Sequence, residues 1–162
     1  MQDLETAKNS LAKKGLTLSI AKNGDIIFET VSNGISGLLE AIEKLLNGLE
    51  GASVADRVAG KAVALLCVYA RVKAVYAVIL SKRAKDVLEK YAVHHEWDNL
   101  VENILDVNKV KMCPFEKLAE EISNPRDAYR RLKALQDSLK QMKAGHKQFI
   151  SEKDEKLNIL KK

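Results

Sequence analysis

The chain is poor in the residues that carry most protein chemistry. Among 162 residues there are two cysteines, two prolines, three histidines and one tryptophan, and only 5% are aromatic. Two cysteines cannot build a disulfide scaffold, so a reducing, cytoplasmic compartment is expected. Cys67 lies in an apolar helical run and reads as core, whereas Cys113 precedes Pro114 at a helix start. No apolar run reaches the ~18 residues of a membrane span. The longest, near 62–70, is closed by Arg71 and Lys73, so no membrane partner is expected. The opening MQDLETAKNS is polar and of mixed charge, unlike a secretory signal or a transit peptide. A P-loop, a dinucleotide glycine fingerprint and a Gly-x-Ser-x-Gly elbow are all missing, and no cofactor is expected.

What is present is a soluble, globular composition, 46% hydrophobic and 30% charged, long enough for one domain with a substantial core. The net charge of +5 is uneven. Residues 1–122 hold 16 basic and 17 acidic side chains, and residues 123–162 hold 11 and 5. The basic character therefore belongs to a C-terminal arm. Such an arm can give salt-sensitive contact with nucleic acid. With only Tyr129 and Phe149 as aromatics it offers a poor stacking platform, and a solvated helix face is the expected reading.

Residues 2–13 read as a helix with Leu4, Ala7, Leu11 and Ala12 on one side, ended by Gly15. Alternation in LTLSIAKNGDIIFET predicts a hairpin turning at Asn23-Gly24, the pair that favours a type I′ turn. Helical spacing of Ile35, Leu38, Leu39, Ile42, Leu45 and Leu46 predicts a helix over 35–47. GASVADRVAGKAVALL predicts a second, buried helix from an N-cap at Ser53 to about Tyr69, with Asp56 in its first turn. VKAVYAVIL (72–80) is continuous and β-branched, as a central strand should be. A helix over 82–91, a short strand over 92–97 and a helical turn or two over 98–106 follow. Pro114 starts a short helix to about 122. Asn124 caps a last helix bearing the near-heptad stripe Ala128, Leu132, Leu135, Leu139 and Met142, stopped by Gly145.

This order predicts a three-layer α/β/α sandwich with a mixed sheet of about four strands over residues 1–123. The basic helix and extension over 124–162 either pack on it or extend from it. The stripe on that helix could cover the sheet or pair two copies of the chain as a homodimer.

The segments GASVADRVAGKAVALL, VKAVYAVILSKRAKDVLEK, MCPFEKLAEEI and NPRDAYRRL resemble an uncharacterised prokaryotic domain family with a cytidine-deaminase-like fold, over roughly residues 4–135. The resemblance implies that fold and brings no activity with it. Zinc deaminases need a His or Cys with a Glu two residues on at one helix start, and a Cys pair at a later one. With helices starting at 53 and 82, those motifs fall on Val54-Ala55-Asp56 and on 81–84, where no thiolate or imidazole stands. Zinc and zinc-dependent deamination are therefore not expected.

The candidate ligand residues are Ser53, Asp56, Lys61, Ser81 and Glu116, grouped where helices begin. Asp56 is either a helix cap or a ligand acceptor and general base. Lys61 is either a lysine reaching water from an apolar helix or an anion contact. Cys113 is either packed or, at a helix N-terminus beside Lys109 and Lys111, a nucleophile or redox centre, with His94 or His95 as its base should either approach. Three functions follow: binding of a nucleoside, nucleotide or related polar metabolite; a cysteine-dependent enzyme using Cys113, with Asp56 as the second catalytic candidate; or a homo-oligomeric interaction module.

Overall fold

A computed structural model describes residues 2–105 and 111–160, with side chains to 145. The chain runs α1 (Gln2–Lys13), β1 (Leu18–Lys22), β2 (Asp25–Thr30), α2 (Ser36–Leu45), a 3-10 turn (Leu46–Leu49) and β3 (Ser53–Ala59). It continues through α3 (Lys61–Tyr69), β4 (Ala74–Ser81), α4 (Lys82–Lys90), β5 (His94–Val101), α5 (Pro114–Ala119) and α6 (Pro125–Leu160). The five strands form one mixed sheet in the order β2-β1-β3-β4-β5. β1 pairs antiparallel with β2 and β3, while β3, β4 and β5 are parallel. Parallel neighbours need a crossover, and α3 and α4 supply it.

The hairpin turns where the sequence says. Asn23 and Gly24 both have positive φ, 53° and 86°, as a type I′ turn demands. Their amides donate to the Asp3 carboxylate at 3.0 and 2.8 Å, which ties the turn to the start of α1.

α1 covers one face of the sheet, burying Leu4, Ala7 and Leu11 on Ala21, Ala55, Ala74 and Tyr76. Full burial contributes about 1.5–3 kcal/mol for a side chain such as Leu4. The larger core lies on the other face, where Leu38, Leu39, Leu65, Leu66 and Leu88 of α2, α3 and α4 meet Ile20, Val54, Val75 and Leu80. The three-layer α/β/α arrangement of the sequence analysis is thus found, with five strands in place of about four.

The difference arises at 53–69. The single helix expected there is a strand and a helix, divided at Gly60, whose backbone is extended (φ −98°, ψ −172°). Ser53–Ala59 carries β-branched Val54 and Val58, but its apolar spacing also suits a helix. What decides is tertiary pairing: Leu18 of β1 stands opposite Asp56, and Asp56 opposite Ala77 of β4. Sheet context of this kind overrides local propensity. Likewise β5 continues to Val101, where turns of helix were expected, because His94–Val101 pairs with β4 along its length.

The chain divides into two compact units, Met1–Leu132 and Lys133–Lys162. α6 begins as read, with the Asn124 side chain accepting from the amides of Arg126 and Asp127 at 2.9 and 3.3 Å. It does not stop at Gly145 but runs to Leu160. A lone glycine costs a helix only about 1 kcal/mol relative to alanine, too little to end it. No helix among the described residues is long and apolar enough to cross a membrane.

Candidate functional site

The carboxyl ends of β3 and β4, at Ala59 and Ser81, lead directly into α3 and α4. Loops after parallel strands gather at one edge, where α/β sheets place their ligands. Each helix start here is satisfied from within. Ser81 is buried, and its hydroxyl accepts from the Ala84 amide at 3.0 Å, capping α4. The start of α3 is capped from a distance. The Glu116 carboxylate, brought by α5, accepts from the amides of Lys61 and Ala62, both at 2.9 Å. It satisfies two orphan donors and meets the positive end of the helix dipole. Gly60 makes room for it, since a Cβ there would lie 2.2–2.5 Å from the Glu116 carboxylate atoms. Burial nevertheless raises the Glu116 pKa, against the lowering pull of those two amides and of Arg83 and Lys61.

Beside this contact a cleft of about 470 Å³ opens and runs along α4. Arg83, Asp86 and Lys90 of α4 form one wall, and Lys61, Glu120 and Ser123 the other. Leu65 and Val87 line it as apolar surface, with Tyr91 beside Lys90 at the far end of α4. Arg83 pairs with the Glu120 carboxylate. The Lys61 ammonium is 3.5 Å from the Glu120 carbonyl oxygen, and the Lys90 ammonium lies 5.5 Å from the Tyr91 ring centroid. Among the described residues, neither lysine meets a carboxylate.

The residues singled out from sequence are not brought together as one site. Lys61 lines the cleft; Ser81 and Glu116 lie at the same edge but are spent on helix starts. Ser53 is buried at the amino end of β3, the end away from the cleft, and caps no helix. Asp56 is a strand residue, not a helix cap. Its carboxyl is buried and accepts from the Val58 amide at 3.1 Å, and burial pushes its pKa up to about 7. Cys67 is fully buried, and burial together with the Asp56 charge pushes its thiol well above the ordinary range. Cys113 is half-buried at the start of α5, with no side-chain capping bond, and does not line the cleft. His94 lies 3.7 Å from Glu96, while His95 bonds the Val93 carbonyl at 2.8 Å and stacks on Trp97.

Arg83, Asp86, Lys90, Glu120 and Ser123 were not anticipated as site residues. Their one sequence signal is the spacing of 83, 86 and 90, which puts a polar stripe on one face of α4. The position of Glu120 is set by where α5 docks, a contact spanning 37 residues from Arg83 to Glu120.

The zinc comparison also shifts by one helix. With 53–59 a strand, the helix after the hairpin is α2 and the helix after the next strand is α3. The deaminase ligand positions then fall on residues 33–37 and 60–64, Asn-Gly-Ile-Ser-Gly and Gly-Lys-Ala-Val-Ala. Neither stretch holds a His, Cys or Glu, so the residues do not fit a catalytic zinc, which takes about three protein ligands. Among the described residues, no group of three or more His, Cys, Asp or Glu could hold a metal ion.

No match was found among curated proteins. Among solved structures, RibD of Acinetobacter baumannii matches at 17% identity with a TM-score of 0.45, over 75% of this chain and 38% of its own. The crystal structure of TM1506, a DUF1893 family protein from Thermotoga maritima, matches at 29% identity with a TM-score of 0.76. That match covers 82% of this chain and 88% of the other. The profile of the TM1506 family, a domain of unknown function (DUF1893), matches residues 6–136. That span takes in the whole sheet and the cleft, and the chain belongs to the DUF1893 family.

Proposed function

We propose that this chain is a binding domain for a small polar metabolite of the nucleoside or nucleotide class, seated in the cleft along α4. The observation that carries this reading is the make-up of the cleft. Two ammonium groups, Lys61 and Lys90, that form no ion pair with a carboxylate among the described residues line it together with apolar Leu65 and Val87, and Tyr91 adds an aromatic ring. Ligand sites combine apolar lining with a few placed polar groups in this way. Asp86 adds a carboxylate acceptor for a ring amine or a sugar hydroxyl. The family brings no reaction, and no reaction is assigned. A reducing cytoplasm fits a chain whose two cysteines are both free.

The test is thermal unfolding across a panel of nucleosides, nucleotides and sugar phosphates. A ligand present at 100 times its Kd stabilises by about 2.7 kcal/mol. The upward shift in Tm should vanish in Lys61→Ala and Arg83→Ala. A panel that moves Tm nowhere would sink the reading.

A further inference from the structure

α5 and the residue that follows it place two carboxylates, Glu116 and Glu120, four residues apart. The first anchors the helix and the second reaches into the cleft. The anchor is firm: Glu116 is held by two amides at 2.9 Å, and the adjoining Ala119 and Ile122 are buried. The second contact is of another kind. The Arg83 and Glu120 side chains are 48% and 38% exposed, so their pair can open by side-chain rotation while α5 stays in place. An exposed ion pair of this type is weak. The Arg83 fork nevertheless suits an oxyanion, and the Lys61 ammonium donates to the backbone carbonyl of the same residue, Glu120, at 3.5 Å.

We propose that Glu120 is a built-in competitor for the anionic group of the ligand, holding Arg83 until a phosphate or carboxylate displaces it. Glu116 is a positioning residue that fixes α5 so that the competitor stays at hand. The inference rests on the cleft being a ligand site, and it adds an anionic group to that ligand and an internal contact that sets its affinity. A phosphate brings more charge than the single carboxylate it replaces, and it would lie between Arg83 and Lys61. Occupancy then exchanges one ion pair for another, without exposing the core around Ala119.

The test uses the full chain and two simple probes, inorganic phosphate and acetate, titrated while amide chemical shifts around Lys61 and Arg83 are followed. Glu120→Gln should tighten phosphate by about two- to fivefold, the range open to a weak exposed pair. Arg83→Ala should abolish the response. Glu121→Gln is the control, because Glu121 pairs with Arg131 at 3.2 Å, and its loss changes net charge equally. It should leave phosphate affinity unchanged. A response to phosphate and not to acetate identifies the anionic group as phosphate, and the reverse identifies a carboxylate. Equal or weaker binding in Glu120→Gln, equal tightening in Glu121→Gln, or no response to either probe in any variant would each overturn the proposal. A neutral nucleoside that raises Tm while neither anion binds would overturn it and leave the metabolite reading standing. Tighter phosphate in Glu120→Gln with no metabolite shifting Tm would do the opposite.

Discussion

The Glu116 carboxylate occupies the space that a side chain on Gly60 would need: its Cδ lies 2.2 Å from the position of a Cβ there. Residues 56 apart in sequence are thereby matched, one by being absent and the other by filling the gap. The carboxylate supplies the charge and acceptor that the first turn of α3 lacks locally, since Gly60 has no side chain to cap with.

Gly60→Ala should therefore destabilise the protein by about 1–3 kcal/mol, the usual cost of overpacking. The methyl would force Glu116 off the amides of Lys61 and Ala62. Glu116→Ala should cost about 1–3 kcal/mol by leaving the part-buried Lys61 amide and the buried Ala62 amide without their partner. In the double variant the clash is gone, so its cost should fall short of the sum of the two. Urea unfolding of all four proteins measures the coupling. Strict additivity would mean that Gly60 and Glu116 do not act as a pair.

Much of the fold was legible because its signals are local. Asn23-Gly24 announces a turn by the φ values it permits, VKAVYAVIL announces a buried strand, and Asn124-Pro125 announces a helix start. The misreading of Ser53–Ala59 has the opposite cause. Its apolar residues satisfy a helical period, and only pairing with β1 and β4 makes it a strand. That one error placed Asp56 at a helix start, when it stands in the middle of the sheet, and set the deaminase comparison one helix off. The cleft was mostly illegible because its walls come from α3, α4 and the α5 region, and no local pattern ties Arg83 to Glu120. Lys61 was found because a lysine entering an apolar helix needs a reason.

The two cysteines should differ sharply toward an alkylating reagent. Cys67 is 0% exposed, and burial together with the Asp56 charge disfavours its thiolate, the reactive form. Cys113 is half-buried and open to reagent. Iodoacetamide followed by peptide mass spectrometry should label Cys113 in the native protein and Cys67 only at the rate of unfolding. Comparable rates at both positions would contradict the buried setting of Cys67.

Asp56 makes stability depend on pH in the direction opposite to that of a salt-bridged carboxylate. Burial raises its folded pKa from 3.8 to about 7. Between roughly pH 4 and 7 the unfolded chain has released this proton while the folded chain still holds it. Stability should then fall as pH rises through that window, with the full penalty present above about pH 7. Glu116, also raised by burial, acts with the same sign. Asp56→Asn removes the titrating group and keeps an oxygen to accept from the Val58 amide. Urea unfolding from pH 4 to 8 should show wild-type stability falling across the window and a shallower fall in the variant. Equal slopes would mean that Asp56 is ionised in the fold throughout, and that its surroundings are wetter than its burial implies.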